Sequence, residues 1–167
     1  MNRLRILIPA ILLVAAMVGS SQPADAKSKT LVATIHGRGS AVMDGPVLFG
    51  GTTYSIDARL FSDGLAEGFF DCVDVAGSTF PGDVFGPIKH WKKNVDGTIT
   101  LSGTLQLLGG GPATYAYTLT IQKFGGPGTG HWTLSVPIFA AQGFGEPICT
   151  ETLTSGRLVL RQKDWQD

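Results

Sequence analysis

Apolar and polar residues alternate with a period of two along much of the chain beyond residue 27. Tyr54, Ile56, Ala58 and Leu60 fall on one side of such a segment, and Ser55, Asp57 and Arg59 on the other. Successive side chains of a strand point to opposite faces, so this is the pattern of a half-buried strand. Ser62-Asp63-Gly64 supplies turn chemistry, and residues 65–73 run back with Phe70 and Cys72 on a shared face. A second pair is cleaner. Ile99, Leu101, Leu105 and Leu107 alternate with Thr98, Thr100, Ser102, Thr104 and Gln106. Tyr115, Tyr117, Leu119 and Ile121 alternate with Ala116, Thr118 and Thr120. Gly109-Gly110-Gly111-Pro112 joins these two segments, which predicts an antiparallel hairpin. Asp96-Gly97 predicts another, linking residues 84–93 to Thr98. Leu31, Ala33 and Ile35 mark a first strand, Trp132, Leu134 and Val136 a later one, and residues 156–161 the last.

Glycine and proline interrupt this pattern too often for a long helix to survive. The expectation is an all-β domain over residues 27–167: an antiparallel β-sandwich or a closed β-barrel of about eight or nine strands, without a helix. A membrane-spanning barrel fits less well. The chain ends Trp165-Gln166-Asp167, and the polar faces named above carry Thr, Ser, Gln, Asp and Arg.

The first 26 residues follow a different pattern. Arg3 and Arg5 precede an apolar run over residues 6–18, broken only by Pro9, and Ala24-Asp25-Ala26 follows. This pattern predicts a secretory signal peptide with cleavage after Ala26. The run is shorter than the ~20 residues a membrane-spanning helix needs. The expected location is therefore periplasmic or extracellular. In such an oxidising compartment Cys72 and Cys149 are expected to form a disulfide. Closing so long a loop would contribute about 4.5 kcal/mol on chain-entropy grounds.

Thirteen basic residues balance thirteen acidic ones, for a formal net charge of +0. A nucleic-acid binder needs a strong basic footprint, so nucleic acid is not an expected partner. One stretch, Lys89-His90-Trp91-Lys92-Lys93, is basic and aromatic together, and is the candidate binding segment. Such a stretch can touch an anionic sugar, a lipid headgroup or nucleic acid. His36, His90 and His131 lack metal-ligand spacing, with no E-x-x-H or C-x-x-C beside them, so no metal or other cofactor is expected. No G-x-S-x-G elbow is present, and no catalytic residue is assigned. Glu67 and Asp71 lie four apart on a strand, ~13 Å, too far to share a proton. Gly125-Gly126-Pro127-Gly128-Thr129-Gly130 lacks the Lys-Ser/Thr ending of a phosphate loop and reads as a flexible hairpin tip.

Three functional expectations follow. The first is an exported, non-catalytic binding or structural domain. The second is a small barrel that carries an apolar molecule along an inward stripe including Tyr115 and Tyr117. The third is an enzyme that pairs His36, His90 or His131 with an acid in a barrel mouth. The partner class is a small apolar ligand or a cell-surface component.

Three stretches carry a family resemblance. Gly50-Gly51 leads into residues 54–61, followed by Asp63-Gly64 and Gly68-Phe69-Phe70. Asp96-Gly97 precedes residues 99–103. Residues 117–121 lead through Gly126-Pro127-Gly128-Thr129-Gly130 to residues 132–136, and Ser155-Gly156-Arg157-Leu158 closes the set. Together they resemble small exported bacterial β-domains without assigned activity, including post-COAP domains. That group usually shows Asp residues around its Gly-Pro-Gly loop, where this chain has Lys123, Phe124 and His131. The resemblance implies a fold and supplies no mechanism.

Overall fold

The computed structural model describes residues 29–44, 51–75, 83–109, 111–143 and 145–163. The expected signal peptide with its Ala26 cleavage site lies outside these residues, as do Gly110 and the terminal residues 164–167. Nine strands form in chain order: β1 (Leu31–Met43), β2 (Gly51–Phe61), β3 (Leu65–Asp74), β4 (Val84–Lys93), β5 (Ile99–Leu107), β6 (Tyr115–Lys123), β7 (His131–Ser135), β8 (Cys149–Leu153) and β9 (Arg157–Gln162). A short helix, α1 (Pro137–Ala141), follows β7.

Each strand from β1 to β8 pairs antiparallel with the next, and β8 returns to β1. The sheet therefore closes into an eight-strand barrel with β9 as an additional strand. This decides between the two expected architectures, because the two sheets of a sandwich would not join edge to edge around a ring. The turns act as their chemistry predicts. Asp63 Oδ1 accepts from the Leu65 amide at 3.0 Å, and Asp96 Oδ1 accepts from the Thr98 amide at 3.0 Å. The hairpin of β5 and β6 pairs Leu101 with Leu119 and Ile99 with Ile121.

The closure is asymmetric. One edge of β1 pairs with β2 along nearly its whole length. The other edge is divided: residues 33–38 pair with β9, and residues 41–43 with β8. Between them the amides of Thr154 and Ser155 both donate to the Ser40 carbonyl, at 2.8 and 3.1 Å. Two residues thus face one, the signature of a β-bulge. Gly156 completes it at φ +76°, where a Cβ would lie 1.9 Å from the Arg38 carbonyl oxygen. Only glycine satisfies both the left-handed backbone and that approach.

Two expectations are corrected here. Helix α1 forms although none was expected. Pro137 sits in its first turn, and Phe139 buries itself with its ring 5.1 Å from that of Tyr115. The glycine-rich segment after β6 is not a free hairpin tip. Gly125 and Leu158 exchange backbone hydrogen bonds at 2.8 and 2.9 Å, and the Gly128 amide donates to the Leu153 carbonyl at 2.8 Å. The segment is tied down against the β8–β9 bulge.

Apolar residues fill the inside. Trp132, Tyr117, Phe70, Ile35, Ile56, Leu60, Ile88, Leu101, Leu105, Leu119, Ile121 and Leu134 are fully buried. Phe70 meets Trp132 edge-on at 5.7 Å and Tyr117 at 5.9 Å. An eight-strand barrel has room for side chains or one small ligand, and here side chains take the centre. Apolar inside and largely polar outside is the reverse of a water-lined membrane barrel. No helix among the described residues is long and apolar enough to cross a membrane.

Candidate functional site

At one end of the packed interior lies an open mouth. The beginnings of β1 and β5 meet there with the ends of β2, β4, β6 and β9. The pocket they enclose measures about 540 Å³, within the usual range for small-molecule sites. Ala33, Leu60 and Ile99 form its buried floor. Val32, Trp91, Phe124 and Leu160 form half-buried walls packed against the core. Lys93, Gln162 and Lys163 stand at the rim, and among the described residues no acidic side chain lines the pocket.

Strand geometry explains how the basic, aromatic stretch contributes. The pairing of β4 with β5 shifts register between Ile88 and His90, so the alternation resets at Lys89. Trp91 then turns to the pocket wall. Its amide donates to the Gly64 carbonyl and its indole Nε1–H to the Phe61 carbonyl at 2.7 Å, which fixes the ring. Lys93 follows two residues later on the same side. Of the five candidates, Trp91 and Lys93 line the mouth, whereas Lys89, His90 and Lys92 are exposed and do not.

None of the three histidines lines the mouth. His36 lies on the outer wall with Nδ1 3.2 Å from an Asp57 carboxylate oxygen, and both groups are exposed. His131 Nε2 lies 3.1 Å from Asp44 Oδ2, and the Thr152 hydroxyl donates to the same carboxylate at 3.0 Å. The two acid–histidine pairs thus occur outside the pocket. Among the described residues no three His, Cys, Asp or Glu side chains are grouped to hold a metal ion.

Comparison of the chain with protein-family models, curated proteins and solved structures found no match.

A second polar feature, unforeseen in the sequence, lies inside the half of the barrel away from the mouth. Glu151 on β8 is 1% exposed. Its carboxylate accepts a hydrogen bond from the Thr52 hydroxyl of β2 and one at 3.9 Å from the Cys72 thiol of β3. Burial disfavours its charged form and pushes its pKa up to about 7, with the Thr52 and Cys72 bonds pulling the other way. Asp74 and Asp44 add smaller repulsion.

Cys72 and Cys149 are free, so the expected disulfide is not formed in this structure. The strands that carry them, β3 and β8, are separated in the sheet by β2 and β1. Both sulfurs are buried beside Glu151 instead. Burial first, and then the Glu151 charge, raises both thiols well above their ordinary range. That shift favours the protonated thiol over the thiolate at both positions.

Proposed function

We propose that this protein is an exported binding module that holds a small, largely apolar molecule in the open mouth of its barrel and does no chemistry on it. One observation carries the reading: the mouth is walled by Trp91, Phe124, Leu160 and Val32 over a buried apolar floor. Predominantly apolar concavities with a few polar rim groups are the usual form of small-molecule sites. The filled interior argues that a ligand sits in this mouth and not along the barrel axis as a lumenal carrier would hold it. Export is supported by the leader-like residues 1–26.

Titration with the neutral fluorophore N-phenyl-1-naphthylamine tests the site. One saturable equivalent per chain is expected, with emission enhanced by the dry wall. Phe124→Ala removes an aromatic wall that is not fully buried, and it should weaken binding about tenfold, or ~1.4 kcal/mol. Equal affinity in the variant would place the probe elsewhere. Export has its own measurement. Protein recovered from a secreting bacterial host should begin at Lys27, and an intact Met1 on all recovered protein would refute processing.

A further inference from the structure

We propose that the ligand of the mouth is a monomeric anionic amphiphile, a straight apolar chain ending in a carboxylate, with the chain on the apolar floor and the anion between Lys93 and Lys163. The proposal rests on the binding reading above and adds the chemistry of the ligand.

The argument begins with sign. Among the described residues the pocket is lined by two lysines and no carboxylate, although acids and bases balance in the whole chain. Lys29 and Arg59 find an acidic partner in Glu67, at 2.6 and 3.5 Å. Among the described residues no such ion pair involves Lys93 or Lys163.

Position comes next. Lys93 ends β4 in register with Ile99, and the Lys163 backbone amide donates to the Val32 carbonyl at 3.0 Å. Both Cα atoms are thus held by sheet hydrogen bonds on different strands of the rim, while the flexible stems reach over it. Lysine stems cover apolar surface and keep the ammonium in water. An anion at the rim gains two cations, and the amide of Gln162 can donate a hydrogen bond beside them. The apolar walls below suit a saturated chain, each buried methylene of which is worth about 0.8 kcal/mol.

Calorimetric titration of the full-length mature protein with decanoate and with decanol, which share one chain length, tests this. Decanoate should bind about tenfold more tightly at low salt, and the advantage should shrink as ionic strength rises. The double variant Lys93→Gln, Lys163→Gln should bring decanoate down to the affinity that the same variant shows for decanol. These lysines are exposed, so the fold should survive. Equal binding of the two probes to the native protein would overturn the anionic-ligand assignment while the apolar site stands. Binding of neither would remove the site itself. Retention on phosphatidylglycerol vesicles without any binding of monomeric decanoate would also overturn the proposal, because the mouth would then be reading a membrane surface.

Discussion

Truncating Trp132 to alanine should destabilise the barrel by about 4 kcal/mol, seen as a large drop in the urea midpoint followed by far-ultraviolet circular dichroism. The side chain is 0% exposed and sits between Phe70 at 5.7 Å and Tyr54 at 6.3 Å. Large-to-small changes at such positions cost roughly 3–5 kcal/mol, because the surroundings close the cavity only in part. One opposing effect must be weighed. The indole Nε1–H is buried with no protein acceptor among the described residues. An unsatisfied buried donor costs about 1–3 kcal/mol, which alanine would relieve. The cavity term is the larger, so the net effect stays strongly destabilising. Trp132→Phe separates the two contributions, since it removes the orphan donor and keeps most of the volume. It should be distinctly milder than the alanine variant. A loss below about 1 kcal/mol in Trp132→Ala would show that this position is not part of a tightly packed centre.

The second large effect is a dependence of stability on pH from Glu151. Its usual pKa of 4.5 is raised to about 7 by burial. A carboxyl whose native pKa lies above its unfolded one binds more protons when folded, so stability falls as pH rises. The contribution is intact below about pH 4.5 and is progressively lost up to about pH 7. At 1.36 kcal/mol per pKa unit, the loss is on the order of 3 kcal/mol. Asp71, also raised by burial, acts in the same direction above its usual 3.8. Glu67 and Asp96 are lowered, chiefly by hydrogen bonds from Lys29 and Thr98. They lose their contribution only on acidification below the usual carboxylate range, so their window does not overlap that of Glu151. Urea unfolding at pH 4.5, 6, 7 and 8.5 should therefore show falling stability, and Glu151→Gln should flatten the curve. Parallel curves for the two proteins would show that Glu151 does not carry the dependence.

The sheet was legible in the sequence wherever inward positions are apolar and outward positions polar. Residues 54–60 and the β5–β6 hairpin show this, because burial on one face imposes the period directly. The second half of β1 was hidden, since Gly37, Arg38, Gly39 and Ser40 show no apolar alternation. At Gly37 the inward space is taken by a neighbour, where a Cβ would meet Leu158 Cδ1 at 2.6 Å. Strand β8 was hidden for another reason. It reads Cys-Thr-Glu-Thr-Leu, and its central inward residue is the ionisable Glu151. A lone carboxylate inside a barrel breaks the binary code that identifies strands, and no local signal distinguishes it from a solvated acid. The mouth was half legible. The basic, aromatic stretch pointed to Trp91 and Lys93, but the register shift in β4 that separates them from Lys89, His90 and Lys92 depends on pairing. Leu160 and Lys163 join the site only through β9, whose place beside β1 is a matter of topology, and Phe124 joins it from the end of β6.

The divided edge of β1 also orders events during synthesis. Ala33 pairs with Leu60 on one edge and with Gln162 on the other, so the second edge of the first strand needs nearly the last described residue. Contacts this distant along a chain are slow to form. An unclosed sheet would expose unpaired amides and carbonyls on both of its edge strands, open to pairing with another extended chain.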